Sequence, residues 1–174
     1  MVRIDLHFHI LPGLDDGPPT LADALELARA ALADGTRVVA ATSHLRPDFV
    51  TDVGELRERV AELRAALRSA GLPLRVELGA ELGHTMAGRL SQRELEAVAL
   101  GPRGARWLLL ETPFAGVDED FRAAVGELRE RGFGLVLAHP ERNAGGVDAI
   151  LPELARGALA QVNALSLSGG HGPA

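Results

Sequence analysis

Residues 5–13 read Asp5-Leu6-His7-Phe8-His9-Ile10-Leu11-Pro12-Gly13, DLHFHILPG. The apolar run at residues 2–6 has the composition of a buried strand, and two histidines one residue apart stand where that strand ends. Alone, His-x-His is a weak metal signal, because a polar stripe on a strand gives the same spacing. The rest of the chain has to decide between the two.

Working outward, the same unit recurs. Short runs rich in Val, Ile and Leu at residues 37–42, 74–78, 107–110, 134–138 and 159–162 also read as buried strands. Helical spacing fills the intervals. Residues 20–33 place Leu21, Ala24, Leu25, Ala28 and Leu32 on one face. Residues 52–70 do the same with Val53, Leu56, Val60, Leu63 and Leu67, and Gly71-Leu72-Pro73 stops them. Residues 118–131 carry Phe121, Val125 and Leu128, and shorter helices are predicted over 91–98 and 147–156. Strand and helix alternating about six times argues for a parallel α/β architecture, a barrel or an open sheet, in a single domain.

The polar residues then fall into a pattern. His7 and His9 follow the first strand, His44 the second, Glu81 the third, Glu111 the fourth and His139 the fifth. The carboxyl ends of parallel strands form the functional face in both barrels and open sheets. Four imidazoles and two carboxylates on one rim make a nitrogen/oxygen metal site suited to zinc, manganese or iron, with room for two or three ions. Arg142, three residues beyond His139, could grip phosphate oxygens in a fork or form a salt bridge with Glu141. Arg46 and His84 are weaker candidates for substrate contact. Either Asp15 or Asp16, in a tight turn, could orient a ligand histidine. His171 reads as an exposed tail residue.

Composition excludes other chemistries. The chain has 174 residues and no cysteine, so thiolate metal sites and a cysteine nucleophile are ruled out. All 18 basic residues are arginine, and without lysine no Schiff base can form. A net charge of −6 with no basic cluster interleaved with aromatics argues against nucleic-acid binding. No apolar run reaches the roughly 20 residues of a membrane helix, and no secretory leader is visible. The expectation is a cytoplasmic protein, with homo-oligomerisation left open.

The segments DLHFHILPGLDDGP, AATSH, GAE, LLLETPF, LAHPERN and ALSLSGGHG, in this order, resemble the PHP (polymerase and histidinol phosphatase) superfamily. Within it they look most like the bacterial tyrosine phosphatases linked to capsular and exopolysaccharide synthesis. The resemblance implies a distorted (β/α)7, TIM-like barrel over residues 1–174 and a cluster of divalent metals, manganese foremost. It implies hydrolysis of phosphotyrosine on a cognate bacterial kinase by metal-activated water. By position, His7 and His9 would bind one metal and Glu81 would bridge to a second. Glu111 and His139 would complete that second site, His44 would serve a third, and Arg142 would contact the phosphate. The family pattern ends with a further helix and a strand bearing Asp-x-His, which this sequence does not contain. The expectation is a barrel lacking its last strand and helix, as a fragment, as a chain closed by another, or as a degenerate metal-binding or regulatory module. A histidinol-phosphate-type phosphatase is the nearest enzymatic alternative. An amidohydrolase also begins with His-x-His, but many of those need a lysine that is absent here.

Overall fold

The computed structural model describes residues 2–170, so His171 lies outside the described residues. Eight parallel strands alternate with six α-helices, β1 (Arg3–Phe8), α1 (Leu21–Ala33), β2 (Thr36–Ala41), β3 (His44–Leu45), α2 (Val53–Ser69), β4 (Arg75–Leu78), β5 (Glu81–Leu82), α3 (Gln92–Val98), β6 (Trp107–Glu111), α4 (Glu119–Glu130), β7 (Gly134–Ala138), α5 (Leu151–Ala155), β8 (Leu159–Gln161) and α6 (Ala164–Leu167). Each expected strand and helix is present, but the first and last strands, each the outer strand of its sheet, are not buried as expected: Ile4, Leu6 and Leu159 are 61%, 52% and 53% exposed. The helices start at the caps their sequences offer. Thr20 accepts from the Asp23 amide, Asp52 from Gly54 and Asp118 from Phe121, and Ser91 with Glu94 closes a reciprocal capping box. The apolar stripe of α2, from Val53 through Leu56, Val60 and Leu63 to Leu67, is buried as its spacing requires. Phe121, Val125 and Leu128 of α4 are buried in the same core.

The sheet departs from the expectation in an informative way. It divides into β1-β2-β4 and β3-β5-β6-β7-β8. The strands of the second and third units each run on, after two residues, into a two-residue strand that pairs in the other sheet. The two paths therefore jog together, and backbone bonds span the step: Gly79 N–H donates to Ala41 O at 3.1 Å and Glu81 N–H to Thr42 O at 3.3 Å. A Cβ on Gly79 would sit 3.1 Å from Thr42 Cγ2, so glycine lets the two paths approach closely at the jog without crowding that methyl. Along the combined sheet the strand paths follow sequence order, with no reversal of the kind a doubly wound sheet has at its switch point.

The consequence is placement. His44 and Glu81 become register partners in adjacent short strands, and Glu111 closes β6 beside Ala138 of β7. At the outer strands, His7 Nδ1 of β1 meets Gln161 Oε1 of β8 at 2.8 Å. No helix of the described residues is long and apolar enough to cross a membrane.

Candidate metal centre

Glu81 is the hub. Its side chain is 1% exposed, and imidazoles reach it from three strand paths. Oε2 lies 3.1 Å from His7 Nε2, 3.1 Å from His9 Nε2 and 3.3 Å from His44 Nδ1, while Oε1 lies 2.7 Å from His139 Nε2. His7 Nε2 and His9 Nε2 are 3.1 Å apart. The three ligand atoms of His7, His9 and Glu81 thus form a triangle with edges of 3.1 Å. Bonds of about 2.0–2.2 Å to a divalent metal give ligand–ligand edges of roughly 3.0–3.6 Å. The triangle fits one face of such a coordination shell.

The electrostatics fit as well. Burial opposes charge on His9, but the Asp15 and Glu81 carboxylates beside its two nitrogens outweigh it and raise its pKa to about 10. Burial likewise opposes ionisation of Glu81, yet hydrogen bonds from His139, His7 and His9 hold it far below the ordinary carboxylate range. Without a metal, carboxylates face both nitrogens of His9, and a proton supplies the missing positive charge. His44 Nδ1 is buried with no hydrogen-bond partner, 3.3 Å from Glu81 Oε2 and 3.9 Å from Glu111 Oε2. A buried nitrogen between two carboxylates is a group that could hold a cation. Three groupings could hold ions: His7/His9/Glu81, His44/Glu81/Glu111 and His9/Asp16/His44.

The two aspartates of the turn separate by burial. The Asp15 side chain is fully buried; its Oδ2 accepts from the His44 amide at 2.9 Å and lies 3.0 Å from His9 Nδ1, while Oδ1 accepts from Gly17 N–H at 3.0 Å. The His9 Nδ1 contact is close, though off the line of an N–H bond, and acts as a charge pair. Burial works against its ionisation, but His9 and the two backbone amides overcome that and lower its pKa to about 2. A Cβ on Gly17 would lie 3.0 Å from both His9 O and Asp15 Oδ1, so this turn packs directly under His9. Asp16 is 69% exposed, with Oδ1 2.9 Å from His9 Nδ1, and belongs with the open ligand groups instead of beneath them. Asp15→Asn keeps the shape and removes the charge. It is expected to weaken metal binding about 10–100-fold with the fold retained, as measured by titration of manganese or zinc into the metal-stripped protein; unchanged affinity would refute the orienting role.

His7, His9, His44, Glu81, Glu111 and His139 all line one open cleft of about 990 Å³, together with Arg46 and Arg142. His139 takes the left-handed backbone conformation, φ 35° and ψ 51°, the sole non-glycine at positive φ among the described residues. Strain of this kind concentrates at functional positions. The two arginines differ. Arg46 is committed: Nη1 lies 2.8 Å from both Glu111 oxygens, and Nε and Nη2 reach Asp48 at 2.6 and 2.7 Å. Its guanidinium is a counter-ion to Glu111 and lines the cleft from that position. Arg142 does not pair with Glu141, whose Oε1 instead accepts from Asn163 N–H and Ser166 Oγ. Its guanidinium has no hydrogen-bond or ion-pair partner among the described residues, and it rests over the Phe114 ring at 4.5 Å.

His84 is not brought to the cleft. It opens a 3-10 turn (His84–Arg89) and packs edge-on against Phe121 at 5.9 Å, because β5 ends at Leu82 and turns the chain away toward α4. Sequence reading missed Gln161. With Gln161 Nε2 donating to Asn163, Oε1 is left to accept from His7 Nδ1, which directs the His7 Nε2 lone pair into the site. The strand-end rule applied to β8 would have found it.

A family model described as "Capsular polysaccharide synthesis, CpsB/CapC" matches residues 3–174. The chain is 32% identical over 170 residues to the tyrosine-protein phosphatase YwqE of Bacillus subtilis, covering 95% of this chain and 66% of that protein. It is 29% identical over 175 residues to a putative tyrosine-protein phosphatase CapC of Staphylococcus aureus, covering 97% and 67%. A solved structure from work on YwqE of B. subtilis and CpsB of Streptococcus pneumoniae, described as unique metal-dependent tyrosine phosphatases, superposes with a TM-score of 0.83 at 31% identity. It covers 98% of this chain and 70% of that one. The chain thus spans about two thirds of the length of these relatives.

Proposed function

The chain belongs to the CpsB/CapC family, and from that premise we propose that it is a metal-dependent phosphoric monoester hydrolase acting on phosphotyrosine in a protein. The substrate in this reading is a bacterial tyrosine kinase of capsule or exopolysaccharide synthesis, the compartment the cytoplasm, and the metal manganese. In this reading the six strand paths are those of a distorted (β/α)7 barrel short of its last strand and helix, and they belong to one domain. The observation that carries the reading is Arg142, a guanidinium unpaired among the described residues and held on an aromatic face in a cleft lined by four imidazoles and two carboxylates.

His7, His9 and Glu81 would hold one ion, and Glu81 with His139, His44 and Glu111 the others. Bound divalent ions would supply Lewis-acid charge and acidify water near neutral pH. The chain's own groups do the remainder. Arg142 presents a planar fork of N–H donors to phosphate oxygens and stabilises charge on the transferring phosphoryl group. Gln161 and Asp15 fix the rings of His7 and His9, so the ligand atoms need not reorganise during the reaction. Hydrolysis needs no thiol intermediate, in keeping with a chain that has no cysteine.

The test is phosphate release from a tyrosine-phosphorylated peptide. Activity is expected to vanish on chelation, to return on addition of manganese, and to be absent from His139→Ala. Equal turnover after chelation would overturn the reading.

A further inference from the structure

We propose that Phe49 and Phe114 form the walls of an aryl slot above the metal centre and set its preference for phosphate esters of aromatic over aliphatic alcohols. The proposal rests on the phosphatase reading above and names the residues that select the substrate.

The chain is poor in aromatic rings: five Phe, one Trp and no Tyr. Phe121 and Phe133 are buried, and Phe8 and Trp107 are partly buried. Only Phe49, 41% exposed, and Phe114, 44% exposed, stand open to solvent, and both line the cleft. The other cleft residues are mostly His, Asp, Glu and Arg. Exposed rings concentrated at a polar site are a binding feature, since core packing has no use for them there.

The rings are fixed in matching settings. Phe49 stacks on His44 with centroids 5.0 Å apart and planes at 13°, and Phe114 stacks on His139 at 5.5 Å and 14°. Those two imidazoles lie against different oxygens of Glu81, so each phenylalanine is seated on a different ring of the centre within one cleft. Each ring also carries a guanidinium, Arg46 at 5.5 Å and Arg142 at 4.5 Å. Backbone bonds hold both loops: Phe49 N–H to Arg46 O at 3.0 Å, and Ala144 N–H to Phe114 O at 2.9 Å. Asn143 further clamps the Phe114 loop through its amide to Pro113 O. The walls are therefore preorganised before substrate arrives.

In an aryl phosphate one oxygen separates ring from phosphorus. With the phosphate on Arg142, the substrate ring lies where these two rings can meet it, edge-to-face or offset. An aliphatic ester such as phosphoserine offers no flat surface to either wall. Each aromatic contact of this kind is worth about threefold to tenfold in affinity.

The experiment compares kcat/KM for one peptide carrying either phosphotyrosine or phosphoserine, in the metal-loaded protein and in Phe49→Leu, Phe114→Leu and the double variant, with metal content measured on each. Leucine keeps apolar volume and removes the flat ring; Phe→Ala variants are the second set. The expected result is a fall in the phosphotyrosine-to-phosphoserine ratio of about threefold to tenfold per ring, over and above any loss common to both substrates. A ratio unchanged within about twofold, including a parallel loss of both activities, would overturn the proposal, because the rings would then only support the ligand histidines. Should the unaltered protein hydrolyse neither peptide, the phosphatase reading falls, and phenylphosphonate against methylphosphonate binding decides the slot. Tighter phenylphosphonate binding that is lost in the double variant supports it; equal or absent binding refutes it.

Discussion

Glu81→Gln is expected to lower metal content by at least one ion and to reduce phosphotyrosine hydrolysis by about 10³-fold or more, while the protein stays folded. Glu81 touches four imidazoles through two oxygens and is 1% exposed, so no other carboxylate can take its place. The glutamine keeps the volume and one carbonyl oxygen. Its amide can donate to an imidazole lone pair, so the metal-free core remains packed and hydrogen-bonded. What disappears is the negative charge, and with it the anionic oxygen shared between His7, His9 and His44. The same change removes one of the groups that raise the His9 pKa to about 10, so that pKa should fall in the metal-free variant. Glu81→Ala should behave worse, because it strips four buried rings of their common partner and opens a cavity beneath them. Metal analysis, circular dichroism and turnover on one preparation separate these effects. Full metal occupancy with undiminished turnover in Glu81→Gln would remove Glu81 from the centre.

How far the centre could be read from sequence follows from what periodicity does and does not encode. The faces of α2 and α4 were legible because apolar spacing reports on burial, and the six principal strands because apolar runs mark strands, although β1 and β8 leave Ile4, Leu6 and Leu159 exposed. The six ligand candidates were legible because parallel strands collect their polar ends on one face. β3 and β5 were not, since a two-residue pairing has no period; the jog that forms them depends on backbone bonds from Gly79 to Ala41 and from Glu81 to Thr42. Residue type could not divide Asp15 from Asp16, because the difference is burial under His9 against exposure beside it. Nor could it divide Arg46 from Arg142. Both follow a candidate ligand by two or three residues, and their difference lies in which acceptors the fold leaves within reach. The phenylalanines were invisible for a similar reason. A Phe in a loop reads as a minor core residue until its ring is found stacked on an imidazole in an open cleft.

That division between the arginines carries the second large effect. Arg142→Ala is expected to cut kcat/KM for a phosphotyrosine peptide by about 10²–10³-fold, with metal content unchanged. No described acceptor competes for its guanidinium, so removing it leaves no partner unpaired and no metal ligand released. The loss should appear in KM and in kcat, since the fork engages the ground-state phosphate and holds the growing charge more strongly. Arg142→Lys should recover only part of it, because an ammonium supplies charge without the planar pair of donors and stacks less well on Phe114. Arg46→Ala should respond in the opposite quarter: freeing Glu111 of the guanidinium now 2.8 Å from both its oxygens changes metal affinity, with a smaller effect on phosphate. Titration with inorganic phosphate and with metal, on both variants, tells the two roles apart. If Arg142→Ala keeps kcat/KM within about twofold of the parent while holding its metals, the phosphate is gripped elsewhere. If it loses metals instead, Arg142 supports the ligand shell through Phe114 and His139, and phosphate binding by this fork is refuted.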